Sequence, residues 1–412
     1  MSTYSYPGVY VEEDHSLSLS VRSGATAVPA FVCAQDEFDA LWKGKGAYVR
    51  VDSWLDVATA AMKGAKDAAS GSGAGADAAT NGAVPRKRAK RGTDEEKGAA
   101  AEDSKTNSAS AATGDAIIQT ALRAYFENGG GYCYVLAFEE GQRLDAVREL
   151  NDVTLLVEAG CNAGTAAQST AVKVAIANHC NLDTGIFGIY DGIRSKGKTE
   201  GLPASAYGAA YVPWLNRPDT NAAVPPSAVM AGVYCTVDHE RGVWKAPANI
   251  AIRGGLTLAE HYSDAEQGVL NMSAAAINVI RRFGPGAPVV WGARTLSTED
   301  EGGKWKYIPV RRLFNAVEKD VRQAMRFAVS EPNNAPTWER VRAAIDSYLH
   351  ALWKQGGLMG ATPQQAYSVL IGKGVTMTAD DIANGEMIVQ VGLAAVRPAE
   401  FIVLRFSQEV GL

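Results

Sequence analysis

Apolar residues recur along this chain in two rhythms, short runs of strand-forming side chains and longer stretches with helical spacing. The runs at 48–51, 132–136, 153–157 and 185–190 predict strands. Between them, residues 53–57 read as a helix start capped by Asp52 or Ser53. Ile118, Leu122, Tyr125 and Phe126 put one apolar face on a helix over 115–128, which Gly129-Gly130-Gly131 ends, and another helix falls near 169–178. Such alternation predicts an α/β layer with a partly parallel sheet.

The last third changes character. Leu313, Val317, Val321, Ala324 and Ala328 share one helical face, and Trp338, Val341, Ile345, Tyr348, Leu349 and Leu352 share another. Strands over 386–396 and 401–406 follow, so this part predicts a second, α+β unit. Asp238 to Gly242 reads as a polar loop, and Pro225, Pro226 and Pro247 as extended backbone around a turn.

Both ends of the chain predict strands with no neighbour in sequence to pair with. At the front, Pro7 and Gly8 punctuate and Val9, Tyr10 and Val11 favour a strand; at the back, Phe401, Ile402, Val403, Leu404 and Phe406 are apolar. An uncovered apolar edge aggregates, and one economical cover is the sheet of a neighbouring copy. The pattern predicts a chain that polymerises.

At 412 residues the chain exceeds one ordinary core, so several domains are expected. A net charge of −5 gives no overall basic footprint for nucleic acid. Cys33, Cys133, Cys161, Cys180 and Cys235 lack CxxC spacing and fit free thiols in a reducing compartment, which implies synthesis in a cytosol. No run of 18 apolar residues and no secretion signal is read, so neither a membrane span nor direct membrane insertion is expected.

Residues 64–114 are rich in Ala, Gly, Ser and charge without one aromatic, and predict a disordered low-complexity insertion. Its basic tract, Pro85-Arg86-Lys87-Arg88-Ala89-Lys90-Arg91, has the composition of a nucleic-acid patch, but Asp94, Glu95 and Glu96 answer it, as in a solvated loop. Gly192 to Thr199 satisfies the phosphate-loop pattern GxxxxGK[ST] after a strand. Gly201 and Pro203 then break the helix such a loop needs. His15, His179, His239, His261 and His350 lack metal-ligand spacing, and no GxSxG elbow anchors a hydrolase triad. No catalytic residue, cofactor site or metal site is assigned, and the chain is expected not to be an enzyme.

One block is more specific. Tyr211-Val212-Pro213-Trp214-Leu215, Val224-Pro225-Pro226-Ser227, Asp238-His239-Glu240-Arg241-Gly242-Val243-Trp244, Trp291-Gly292-Ala293-Arg294-Thr295 and Pro398-Ala399-Glu400-Phe401 together resemble the contractile tail sheath family of phage tails and extracellular injection systems. The opening Tyr6-Pro7-Gly8-Val9-Tyr10-Val11-Glu12-Glu13 is similar to sheaths of the antifeeding-prophage kind. The resemblance implies an α/β and α+β, multi-domain sheath protomer: an N-terminal strand arm (1–25), an α/β domain (26–63 and 115–290), a C-terminal α+β domain (291–396) and a C-terminal strand arm (397–412). It further implies stacked hexameric rings around an inner tube, strand exchange between protomers, and contraction that drives the tube through a membrane. Implied partners are copies of itself, the tube, and baseplate and cap or terminator proteins, with no small-molecule substrate. The particle would be made in a bacterial cytoplasm and work as a phage virion or released injection machine.

Lys319, Arg322 and Arg326 form a cationic stripe at helical spacing that would suit a reversible grip on an acidic tube, or a solvated helix face. Two other readings stand beside the sheath: a nucleotide-binding enzyme using Gly192 to Thr199, and a nucleic-acid or receptor-binding module using the basic insertion.

Overall fold

The computed structural model describes residues 21–71, 116–141, 143–161, 166–192, 201–272, 275–298, 303–329 and 331–400. The first elements are β1 (Pro29–Ala34), α1 (Gln35–Trp42), β2 (Tyr48–Val51), α2 (Trp54–Gly71), α3 (Ile117–Glu127), β3 (Cys133–Phe138), β4 (Leu155–Val157), α4 (Ala166–Ala177) and β5 (Phe187–Asp191). There follow β6 (Gly208–Val212), β7 (Leu215–Asn216), β8 (Ala223–Val224), α5 (Pro226–Arg241), β9 (Thr257–Leu258), α6 (Asp264–Met272), β10 (Ile277–Arg281) and β11 (Val289–Trp291). The chain continues through α7 (Ile308–Met325), α8 (Ala335–Lys354), α9 (Pro363–Ala366), β12 (Tyr367–Leu370), α10 (Ala379–Ala383) and β13 (Gln390–Leu393).

Eight strands form one sheet in the order β11-β10-β6-β5-β4-β1-β3-β2. The six from β10 to β3 run parallel, and β11 and β2 close the edges antiparallel. A parallel sheet needs both faces covered, and the period-2 alternation shows how that is met. Phe31, Cys33, Val135, Leu155, Val157, Ile189 and Tyr211 point to one face, under α1, α3 and α5. Ala30, Val32, Leu136, Leu156, Tyr190 and Val212 point to the other, against Val172 and Ile176 of α4. The expected α/β layer is therefore present.

A third core gathers Leu313 and Val317 of α7, Val341, Ile345, Tyr348, Leu349 and Leu352 of α8, and Tyr367, Ile371 and Met377. This is the expected α+β unit. Among the described residues its sheet has two strands, β12 and β13, paired antiparallel from Tyr367↔Leu393 to Leu370↔Gln390. The last strand is shorter than the 386–396 stretch read from sequence. Residues between β11 and α7, grouped by sequence with this unit, pack instead with the large sheet. Leu296 is fully buried in the α4-side core, where its amide donates to the Gly208 carbonyl at 2.9 Å, and Ile308 is buried in the α5-side core.

Two sequence expectations are corrected. The insertion does not begin at residue 64, because α2 continues to Gly71 through an alanine-rich stretch of high helix propensity. The remainder, 72–115, lies outside the described residues. The larger correction concerns 226–241, which is helix α5: Pro225 is extended as expected, but Pro226 begins the helix and Asp238 to Arg241 continue it instead of forming a polar loop. Pro226 occupies the first turn, where its missing N–H costs nothing, and Gly242 ends the helix at φ 96°. Ten of its sixteen residues are buried, so no amphipathic stripe advertises it.

Gly232 sits where α5 crosses α3, and an added Cβ would lie 2.5 Å from the Tyr125 carbonyl oxygen and 2.9 Å from Asn128 Cβ. Helix propensity alone would make Gly232→Ala stabilising by about 1 kcal/mol. The clash reverses the sign: thermal melting should fall, by the equivalent of about 1–3 kcal/mol typical of overpacking. A melting temperature at or above that of the wild type would disprove the close approach.

Candidate assembly site

The arms leave the body at residues 21–28 and 396–400, and charged networks hold both points. At the first, the Gly24 amide donates to Asp320 Oδ1 at 3.0 Å, and the Tyr348 hydroxyl donates to Asp320 Oδ2 at 2.8 Å. Thr26 Oγ1 donates to Asp238 Oδ2 at 2.5 Å, and its carbonyl accepts from Arg312 Nη2 at 3.0 Å and Thr154 Oγ1 at 2.9 Å. Arg312 also forks onto Asp238, at 3.0 and 2.6 Å, with side chains 3% and 5% exposed. Its guanidinium lies 4.6 Å from the Tyr234 ring centroid, and the Tyr234 hydroxyl meets that of Tyr211 at 2.8 Å. Burial pulls the Arg312 pKa down, but Asp238 overrides it and the net shift is upward. Burial also raises the Asp320 carboxyl above its ordinary value, against the pull of Tyr348 and Gly24.

At the second root, Glu400 accepts from Arg294 Nε at 2.6 Å through one oxygen and from the Tyr307 hydroxyl at 3.0 Å through the other. Lys306 Nζ stands 3.8 Å away. Arg294 is fixed from behind: Nη1 donates to the Asn271 carbonyl at 2.7 Å, and Asn278 brackets its backbone at 2.8 Å on both amide and carbonyl. Burial raises the Tyr307 hydroxyl, and the nearby Glu400 raises it further. Gly24 and Glu400 are therefore tied to the body. Sequence could not reveal these pairs, which lie 296 and 106 residues apart.

The strand-arm residues Pro7, Gly8, Val9, Tyr10 and Val11, and Phe401, Ile402, Val403, Leu404 and Phe406, lie outside the described residues. The cationic stripe is described and its members differ. Lys319 is half-buried and donates to the Val153 carbonyl at 3.2 Å. Arg322 is exposed yet reaches the carbonyls of Asp183 and Leu182, while Arg326 is exposed. All three line a cleft of about 690 Å³ between α7 and the loops before β4 and β5.

A buried polar group sits at the opposite, carboxyl ends of β4 and β5, where open α/β sheets commonly bind ligands. Here the N-terminus of α5 is occupied by the protein's own carboxylate. Asp191 accepts from the Ser227 amide at 2.8 Å, the Ser227 hydroxyl at 2.9 Å and the Gly160 amide at 2.8 Å. Alongside, Lys173 Nζ donates to Glu158 at 2.9 Å, both side chains 3% exposed. Burial pushes the Glu158 carboxyl up to about 7 against the pull of Lys173. Each group is used up by its neighbours, which is what a packed joint between layers requires.

Gly192 of the phosphate-loop pattern closes β5, and its carbonyl accepts from Trp214 Nε1 at 2.9 Å. Residues 193–200 lie outside the described residues, and 201–207 contain no helix for a phosphate to cap. Among the described residues no group of three or more His, Cys, Asp or Glu could hold a metal ion, and no helix is long and apolar enough to cross a membrane.

Hydrogen-bonded networks thus fasten both described ends of the chain to the body, which carries a two-stranded sheet among the described residues. The family described as phage tail sheath C-terminal domain matches residues 300–409. The sheath complex of the PVC extracellular contractile injection system, solved in the contracted state, is 41% identical, with 100% of this chain and 99% of that one covered and a TM-score of 0.76. The helical sheath of the anti-feeding prophage, also contracted, is 37% identical over 99% and 100%, with a TM-score of 0.72. Curated relatives match over less: 26% identity to a prophage major tail sheath protein of Pseudomonas aeruginosa (strain UCBPP-PA14), over 44% of this chain and 45% of that one. The tail sheath protein of Enterobacteria phage T4 is 28% identical over 34% and 21%. The chain thus spans less than half the length of the curated relatives it matches. It belongs to the contractile sheath family of phage tails and extracellular contractile injection systems.

Proposed function

We propose that this chain is the repeating subunit of a contractile sheath, stacked in hexameric rings around an inner tube, whose arms exchange strands with neighbouring copies. The carrying observation is the two-stranded sheet β12–β13, because a two-stranded ribbon is marginal in water and its outer edges suit added strands. An arm that adds four to six backbone hydrogen bonds, each worth about 0.5–1.5 kcal/mol net, makes a firm link that can still pivot at its root. Contraction then needs no nucleotide. The work comes from extra burial between subunits, at roughly 25 cal/mol per Å² summed over many copies.

The inner tube, baseplate and cap or terminator proteins are the partners of this reading, and assembly in a bacterial cytoplasm precedes release or lysis. Lys319 and Arg322 are engaged with their own chain's carbonyls, so Arg326 is the stripe residue best placed to reach an acidic tube. Residues 72–115 take no part in this account.

Electron microscopy of the chain expressed with its tube protein tests both claims. Wild type should give striated tubes with filled lumens, and Arg322→Glu with Arg326→Glu should give striated but empty ones. Monodisperse monomers from wild type would sink the sheath reading; filled lumens in the variant would remove the stripe from the tube grip.

A further inference from the structure

The two arm roots share one helix. Tyr307, which holds Glu400, is the N-cap of α7, Arg312 in its second turn holds the Thr26 carbonyl, and Asp320 near its far end holds the Gly24 amide. Along the chain the roots are separated by nearly its whole length. Through α7 they are joined by thirteen residues of helix, roughly 20 Å at 1.5 Å per residue. The helix between them is held on every side. Ile308 is buried in the core of the large sheet, and Leu313 and Val317 in that of the C-terminal unit. Arg311 is 3% exposed and lies 4.0 Å from the Trp305 ring centroid, with Nε donating to Asn315 at 2.7 Å and Nη2 to Glu318 at 3.2 Å.

We infer that α7 is a tie that carries tension from the N-terminal arm to the C-terminal arm within each protomer. The inference rests on the sheath reading, in which each arm is held by a different neighbour. A pull on one arm enters the body at its clamped root, and the stiffest route to the other root is this one hydrogen-bonded helix, with a carboxylate–amide bond at one end and a phenol–carboxylate bond at the other. Among the described residues Gly24 is the outermost hydrogen-bonded fastening of the N-terminal root, with Thr26 on Arg312 behind it, so a pull meets Asp320 first and clamp and helix act in series.

Series connection gives the test its form. Assembled sheaths carrying Asp320→Ala, Glu400→Ala or both are dissolved in guanidinium beside wild type, and the rate of loss is followed by light scattering. Melting of the unassembled protomers corrects for folding. Each single change should speed dissolution by about tenfold, and the pair should be no worse than the faster single within about twofold. Two independent contacts this far apart would multiply to about a hundredfold. Tyr307→Phe, which removes one hydroxyl and keeps the ring, supplies a milder cut should Glu400→Ala fail to assemble, and should also add nothing to Asp320→Ala. Multiplying effects, or variants as durable as wild type, would overturn the tie and leave the sheath reading standing. A wild-type chain that builds no sheath would sink both.

Discussion

A chain ending at Glu400 should fold as the full chain does and build no tubes. The second arm root divides its labour between holding the body and reaching a neighbour. Glu400 is tied to the body, with Arg294 at 2.6 Å and Tyr307 at 3.0 Å, so removing 401–412 breaks neither of those bonds. It does remove Phe401, Ile402, Val403, Leu404 and Phe406, the apolar strand proposed to join a neighbour. Even the low estimate of four hydrogen bonds at about 0.5–1.5 kcal/mol each, without burial, weakens every link by on the order of 2–6 kcal/mol, or 30-fold to over 10⁴-fold in its equilibrium constant. Links repeat at every subunit, so assembly fails as a whole.

Cutting three residues earlier, after Arg397, should do something different. Glu400 then goes too, and Arg294, whose side chain is 11% exposed, keeps its charge without its carboxylate. A lost charge-assisted hydrogen bond of this kind costs about 1.5–3 kcal/mol, so this shorter chain should also melt lower. Thermal melting separates the two truncations, and pelleting with electron microscopy reports assembly for both. Tubes from the chain ending at Glu400 would refute the strand-donation role of the C-terminal arm.

How far the sequence carried depended on whether the signal was local. Strands β2, β3 and β5 and helices α3, α7 and α8 were readable because each is a contiguous pattern, alternating or with a helical face. Helix α5 was not, since burial on nearly every side removes the polar face that marks a helix, and Pro225-Pro226 mimics a turn while starting one. The family was legible from residue identities spread over the chain. The clamps were not, because Asp238, Arg312 and Asp320 look in sequence like the solvated charges of any surface helix. Only the fold brings Thr26 and Gly24 against them. The same blindness affected Lys319 and Arg322, which share a stripe with Arg326 by spacing but spend their donors inside the chain.

Asp238→Asn should be among the most damaging single substitutions in the body. Arg312 is 3% exposed and always charged, its guanidinium forks onto Asp238, and the same carboxylate receives the Thr26 hydroxyl. Exchanging the carboxylate for an amide leaves a buried cation with one weak acceptor where it had two charged ones, and breaking such a pair typically costs about 3–5 kcal/mol. The loss falls at a particular place. Asp238 stands in the last turn of α5 and Arg312 in α7, so their pair fastens the α/β layer to the helix that leads into the C-terminal unit, and it seats the N-terminal arm root between them. Unfolding of a chain with several cores is not expected to be two-state, so one midpoint would blur the effect. The sharper readout is limited proteolysis near residue 24 beside the first denaturant transition, and both should shift together in Asp238→Asn. Arg312→Met paired with Asp238→Leu should recover much of the transition, because removing both charges removes the desolvation penalty as well. It should not recover protection of the arm root, since in the pair the Thr26 hydroxyl loses Asp238 and its carbonyl loses Arg312, leaving Thr154 alone to hold it. Recovery of both would mean that the pair stabilises the body without holding the arm; recovery of neither would mean that the site needs its charges for packing.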